Sequence, residues 1–269
     1  MLGVVKIGGA VGNKLEPLMK ELSERAANGE RWILVHGASG VMDALCAERG
    51  VEIRMVTSPS GYRSRFVGEV ERALFKEAAM SYGAQIKNTL DGFGAKSEQA
   101  DPEILKHVFA KRKDVIREVV NGRTRILRGN YSGTVTKIDG SKVLEVLNNY
   151  VIPILPPLAL DPECGLAINI DGDRLAAATG GEVKADVMVI LSNVPGLMKN
   201  IEERDSLIKT GHLADWDILE HYAKGNMKRK LVACREGLEA GIPKVYLADG
   251  RADAPIAHAL GGEATCLTR

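Results

Sequence analysis

Aromatic residues are scarce, at 4% of 269 positions. Proteins that stack nucleic-acid bases depend on aromatic side chains, so that class loses its main hardware. Neither sign of charge is in excess. The formal net charge is +1, which leaves no global field to hold DNA or a membrane surface. There are four cysteines, Cys46, Cys164, Cys234 and Cys266, far apart and without C-x-x-C spacing. They suit neither a zinc site nor a disulfide framework, and point to a reducing cytoplasm. No leader-like segment and no long uncharged apolar run occurs, so a cytoplasmic protein without a membrane span is expected. G-x-x-x-x-G-K-[ST] is missing, as is G-x-G-x-x-G after the first strand, which removes the P-loop and dinucleotide fingerprints. Asn130-Tyr131-Ser132 has the glycosylation spacing, but without a secretion signal it reads as chance. No internal repeat is visible.

Against these absences stand 45% hydrophobic and 26% charged residues, an ordinary globular balance with enough length for one large α/β domain or two lobes. The chain opens on Val4-Val5-Lys6-Ile7-Gly8-Gly9-Ala10. A β-branched run meets a lysine and then a glycine pair, where backbone can turn without a Cβ. A cation beside bare N–H groups suits a polyphosphate. An ordinary strand with a Gly turn has the same pattern.

Leu15, Leu18, Met19, Leu22 and Ala26 follow at helical spacing. Asn13 is the expected N-cap, and Pro17 fits the first turn. Trp32–Val35 reads as a strand entering His36-Gly37-Ala38-Ser39-Gly40. A helix to about Glu48 and a third strand near Val51–Val56 come next. Such alternation predicts a parallel sheet with helices on both faces. Residues 57–65 read as a loop before a long helix with Val70, Leu74, Ala78 and Ala79 on one side. Residues 88–101 are weakly patterned. Further on, helices are expected over 141–149, 174–180, 214–223, 227–240 and 254–260. Strands are expected over 151–155, where Pro156-Pro157 stops the run, and over 166–170, 187–191 and 244–248, with an edge strand at 264–267.

Val115–Val120, Asn121-Gly122 and Arg123–Arg128 form two strand runs joined by Asn-Gly, which predicts a hairpin with a type I′ turn. Arg117, Arg123, Arg125 and Arg128 make it basic in a near-neutral chain. Such charges either discourage edge pairing or dock an acidic partner.

Polar or Gly-rich turns lie just after the expected strands, at 8–10, 37–40, 171–173, 192–196 and 249–251. In an open parallel sheet, ligands bind outside the carboxyl ends of the strands. Lys6-Ile7-Gly8-Gly9, His36-Gly37-Ala38-Ser39, Asn169-Ile170-Asp171-Gly172-Asp173, Leu191–Gly196 and Gly225-Asn226-Met227-Lys228-Arg229-Lys230 occur in that order. Together they resemble the amino acid kinase family, with acetylglutamate kinases nearest, from about residue 2 to about 268. Gly61-Tyr62-Arg63-Ser64-Arg65, Arg128–Val135 and Met227–Lys230 resemble the LysW-dependent branch of lysine and arginine biosynthesis. Its substrate is α-aminoadipate or glutamate joined through the α-amino group to an acidic carrier protein.

The resemblance implies the α/β amino acid kinase fold: a three-layer αβα sandwich with a mainly parallel central sheet and two lobes. The acceptor lobe would be 1–170 and the nucleotide lobe 171–269. It implies that Lys6 sits against the transferring phosphoryl group, that Asp173 orients Lys6 and Lys230, and that Lys230 stabilises the leaving phosphate. Gly8, Gly9 and Gly37 would give N–H groups to phosphate. Gly37, Ala38, Arg65 and Asn169 would bind the acceptor. Ser192, Asn193, Val194, Gly196 and Met227 would line the nucleotide site. ATP would be the donor, with Mg²⁺ held by phosphate oxygens and water rather than a protein cage. A homodimer is implied by analogy.

Phosphoryl transfer to a carboxylate brings two anions together, so fixed positive charge matters more than a base. Taken singly, each residue also has a structural reading. Lys6 and Lys230 could be surface charges, Asp173 an N-cap, His36 a packed strand-end histidine, and Arg63 a rival to Arg65. The family pattern has a third glycine where Ala38 stands and an Asn where Asp171 stands. Ala38 would be strained if φ were positive, and Asp171 adds charge near phosphate. A kinase of free N-acetylglutamate and a non-catalytic nucleotide or amino-acid sensor are the alternatives. Aminoadipate and glutamate differ by one methylene, worth only ~1–3 kcal/mol in a pocket.

Overall fold

The computed structural model describes residues 1–9, 15–59, 61–149 and 151–269. The expected Asn13 cap, Ala10 and Ser60 lie outside them. The chain begins β1 (Leu2–Ile7), α1 (Leu15–Ala27), β2 (Arg31–His36) and α2 (Ser39–Arg49). It continues with β3 (Met55–Thr57), β4 (Arg63–Arg65), α3 (Glu69–Gly92), β5 (Ser97–Gln99), the short α4 (Pro102–Leu105) and β6 (Val108–Arg112). Then come β7 (Ile116–Val120), β8 (Arg123–Leu127), β9 (Gly133–Ile138), α5 (Gly140–Asn148), β10 (Ile152–Leu155), β11 (Leu158–Asp161) and β12 (Leu166–Asn169). The last part holds α6 (Gly172–Glu182), β13 (Val187–Ser192), β14 (Thr210–His212), α7 (Trp216–Tyr222), α8 (Asn226–Glu239), β15 (Lys244–Asp249), α9 (Pro255–Leu260) and β16 (Thr265–Thr268).

The main sheet runs β14-β16-β15-β13-β1-β2-β10-β5. It is parallel apart from the antiparallel β15–β16 junction. Alternating side chains build two faces, as the strand period of two requires. Val4, Ile33, Val35, Met188 and Ile190 face Val143 of α5, Leu175 of α6 and Leu231 of α8. Val5, Ile7, Leu34, Val189 and Leu191 face Leu18 and Met19 of α1, Ile86 of α3 and Ile256 of α9. This is the expected three-layer sandwich. With β1 between β2 and β13, the start of the chain lies beside its C-terminal half.

Several local expectations change. The third strand is Met55–Thr57, and it pairs only with Arg63–Arg65, antiparallel and outside the main sheet. Much of the expected 57–65 loop is therefore a hairpin. Val51 and Ile53 pack beside α2 and α3 instead of joining a sheet, so their apolar character reflects packing, not pairing. Val70 is exposed, and α3 turns Leu74, Phe75, Ala78 and Ala79 inward. The weakly patterned 88–101 stretch holds the end of α3 and the edge strand β5. The proline pair interrupts only briefly, since β11 resumes at Leu158 in a second sheet, β12-β11-β6-β9. The strand at 265–268 is not an edge, because β14 pairs outside it.

The Asn-Gly hairpin forms as expected, β7 against β8 with Val120 opposite Arg123. Asn121 and Gly122 have φ of 50° and 73°, the left-handed pair that a type I′ turn demands. Asn130 is fully buried and receives the Val67 N–H, so its glycosylation-like spacing belongs to an interior residue. Among the described residues no helix is long and apolar enough to cross a membrane.

Candidate active site

The parallel strands β1, β2, β13 and β15 end on one edge of the sheet, which gathers the turns after them. At β1 and β2 the backbones nearly touch. A Cβ on Gly9 would lie 2.2 Å from Ala38 N, and one on Gly37 would lie 2.6 Å from Gly9 N. Only glycine permits that approach. Gly37 departs from its expected role as a phosphate donor. Its N–H is spent on the Ile7 carbonyl at 2.9 Å, because the strand ladder runs one residue further. At the amino end of α2 the first N–H groups lack intrahelical partners, and that of Gly40 donates to the Gly9 carbonyl. Ala38 has φ −141° and ψ 12°, so its Cβ meets no left-handed strain. It is buried beside Met42 and Cys46.

Across this edge Asp173, in the first turn of α6, holds two lysines. Lys6 Nζ lies 2.7 Å from Oδ1, and Lys230 Nζ lies 3.3 Å from both carboxylate oxygens. All three side chains are at most 12% exposed. Burial by itself would raise the Asp173 carboxyl, but Lys6 and then Lys230 outweigh it and bring it to about 2. Burial pushes the Lys230 ammonium down, as does the charge of Lys6, while Asp173 opposes both. The trio keeps a net positive charge in a site screened from water, the condition under which it attracts an anion most strongly. Asp173 is not the N-cap of α6. Asp171 is, accepting from Asp173 N at 2.9 Å and Arg174 N at 3.1 Å. The charge that Asp171 adds is thus tied to the helix start.

Asn169 ends β12, and its N–H donates to the Tyr131 carbonyl at 3.0 Å. Arg65 ends β4 and pairs with Asp43 of α2. Its rival Arg63 is exposed, and its carbonyl accepts from Arg229. That contact links the first turn of α8, which carries Lys230, to the hairpin that carries Arg65. Ser192 ends β13, and its carbonyl accepts from Gly250 N at 2.8 Å. Asn193 is exposed and Val194 half-buried. Gly196 is buried, and a Cβ there would lie 2.4 Å from Thr265 Oγ1. It packs the turn instead of offering a lining surface. Met227 is half-buried against the core beneath α8.

Comparison with known proteins fits this arrangement. The model of the amino acid kinase family matches residues 1–249. The chain belongs to the amino acid kinase family. It is 35% identical to the [LysW]-aminoadipate kinase of Deinococcus radiodurans, over 98% of this chain and 91% of that protein. It is 32% identical to the [LysW]-aminoadipate kinase of Thermus thermophilus, over 97% and 98%. To the [LysW]-aminoadipate/[LysW]-glutamate kinase of Sulfurisphaera tokodaii it is also 32% identical, over 96% of each. Among solved structures, N-acetylglutamate synthase from Neisseria gonorrhoeae shares the fold with a TM-score of 0.81 at 22% identity. All of this chain, but only 59% of that one, is covered. Carbamate kinase from Giardia lamblia has a TM-score of 0.65 at 16% identity, over 99% and 98%.

Within this amino acid kinase chain, His36 was legible only as a strand-end histidine. It is fully buried, and its Nδ1 donates to the Gly37 carbonyl at 2.9 Å. Burial brings it down to about 4, with the Gly37 carbonyl opposing and Lys6 adding to the fall. It is therefore neutral at physiological pH. Asp43 carried no signal in the sequence, because an exposed helical acid looks alike everywhere on a surface, and Arg229 was legible only as part of the motif that ends at Lys230. The hairpin arginines Arg117, Arg123, Arg125 and Arg128 are all exposed and do not join the buried trio. The hairpin is tied down by Glu118, which receives Arg54 at 3.0 Å. At its base, the Arg112 guanidinium lies 3.6 Å from the centre of the Tyr131 ring.

Proposed function

We propose that this chain transfers the γ-phosphoryl group of ATP to the side-chain carboxylate of α-aminoadipate or glutamate borne on an acidic carrier protein. One carboxylate oxygen forms the new bond to phosphorus as the bond to the β-γ bridging oxygen breaks, leaving an acyl phosphate and ADP. The observation that carries the reading is Asp173 held between Lys6 and Lys230 at 2.7 and 3.3 Å. The nucleophile is already ionised, so the chemistry asks for paired cations and oriented N–H groups and not for a base.

In this reading Lys6 stabilises the transferring group and Lys230 the leaving phosphate, with Asp173 setting their separation. Gly8, Gly9 and the amino end of α2 cradle phosphate. Arg65 binds the acceptor's α-carboxylate through its planar fork, and Asn169 holds the substituted α-nitrogen. Residues 192–194 and the start of α8 face the nucleotide. Mg²⁺ arrives with ATP, held chiefly by phosphate oxygens. Residues 1–170 serve the acceptor and 171–269 the nucleotide, and the working unit is a homodimer. The exposed arginines of β7 and β8 steer the acidic carrier. The names of the similar kinases support this choice of acceptor.

The test is a hydroxylamine-trapped acyl-phosphate assay with ATP and Mg²⁺. One arm offers carrier-linked aminoadipate or glutamate and the other N-acetylglutamate. Product only with the carrier-linked acceptor is expected. Product with N-acetylglutamate makes the chain a kinase of the free amino acid, and product in neither arm overturns the reading.

A further inference from the structure

Arg65 is held by half of its guanidinium. Nη2 donates to Asp43 Oδ1 on α2, while Nη1 is buried and has no acceptor among the described residues. The Arg65 side chain is 15% exposed and that of Asp43 54%. The pair thus has one end in solvent and the other inside the protein. A buried charged donor without a partner forfeits its hydration, which folded proteins avoid unless something else supplies the bond. The helix that carries Asp43 begins at Ser39, directly after the Gly37–Ala38 turn that meets Gly9. Asp43 therefore fixes Arg65 to the element that floors the phosphate cradle. It also separates the two rival arginines of β4, because Arg63 is exposed and engages Arg229 only through its backbone carbonyl.

We propose that Asp43 is a positioning residue: it anchors one edge of the Arg65 guanidinium so that Nη1 is presented to the acceptor's carboxylate. The proposal rests on the function proposed above and names how its acceptor is selected. Asp43 touches no reacting atom. It restricts a long side chain to one orientation, so that less conformational entropy is lost when the acceptor binds.

The test combines kinetics with calorimetry on the full chain. Asp43→Asn and Asp43→Ala are expected to raise the acceptor KM roughly tenfold, with kcat falling less than KM rises and ATP affinity unchanged. Asp43→Glu restores part of the loss. In the Arg65→Gln background, Asp43→Asn has no further effect, because Asp43 acts only through Arg65. A merely structural role would instead add its penalty in both backgrounds and lower Tm. An acceptor KM within twofold of the parent in Asp43→Ala overturns the proposal, as does full additivity in the double variant. Titration of the parent chain with carrier-linked acceptor separates the two readings. A parent that binds ATP but no acceptor sinks the proposed function and this proposal together. A parent that binds acceptor as tightly as Asp43→Ala does sinks this proposal alone.

Discussion

The Lys6–Asp173–Lys230 centre and the β7–β8 hairpin are both rich in charge, yet they use it in opposite ways. In the centre, three charges from residues 6, 173 and 230 converge within 3.3 Å and are almost wholly buried. In the hairpin, four arginines within twelve residues point into solvent. A buried ionic group is energetically coupled to its partners, and removing one typically costs ~3–5 kcal/mol. An exposed one is worth ~0–1 kcal/mol. The proposed function follows the same division. The centre can act on chemistry because its charges are fixed and screened from water. The hairpin can act on encounter because its charges reach outward.

The comparison is broken most directly at its hub. Asp173→Asn leaves two buried ammonium groups facing each other, so a loss of ~3 kcal/mol or more in unfolding free energy is expected, together with a fall in kcat of at least ~10²-fold. Denaturant unfolding and the acyl-phosphate assay read the two effects. Lys230→Ala is expected to keep the fold and lose ~10²–10³-fold in kcat. An unchanged kcat would refute its place at the leaving phosphate.

Acid sharpens the contrast. The folded Asp173 carboxyl, at about 2, lies below its unfolded value of about 3.9. Its contribution of ~2–3 kcal/mol is present above about pH 4 and is lost as pH falls towards 2. His36 and His107, each lowered to about 4 by burial, act at higher pH. Both are neutral when folded and take up protons when unfolded below about 6.5. Stability therefore declines first between about pH 6.5 and 4, and again below 4. Unfolding free energies across pH check this, and His107→Gln is expected to shrink the first step alone.

The smallest effect belongs to the hairpin. Arg117→Glu combined with Arg125→Glu is expected to leave Tm within about 2 °C, since exposed charges contribute ~0–1 kcal/mol. The KM for carrier-linked acceptor should rise roughly tenfold, and the rise should fade at high salt. Equal KM values at low salt for variant and parent would return these arginines to the role of guarding an edge strand.

The two regions also differed in how far the sequence disclosed them. The hairpin was legible from one short stretch, residues 115–128, because Asn121-Gly122 demands a turn that reverses the chain locally. The apolar runs 2–7, 32–35 and 187–191 were legible as strands for a similar local reason, each being largely hydrophobic over its own length. The 51–57 stretch misled because packing beside α2 and α3 needs apolar residues as much as a sheet does. The trio was visible only as motifs in a familiar order, not as a geometry.

By itself, then, the sequence determined the class of fold, the glycine turns at strand ends and the local basic hairpin. Each depends on interactions between residues close along the chain. The tertiary structure alone decided that Lys6 and Lys230 share one aspartate, that Asp171 and not Asp173 caps α6, and that Gly37 spends its N–H on Ile7. It also decided that Arg65, and not Arg63, is drawn against α2 by Asp43. The meeting of Lys6 with Asp173 follows from β1 lying between β2 and β13. That placement sets which distant side chains come within hydrogen-bonding reach, and spacing along the sequence carries no record of it.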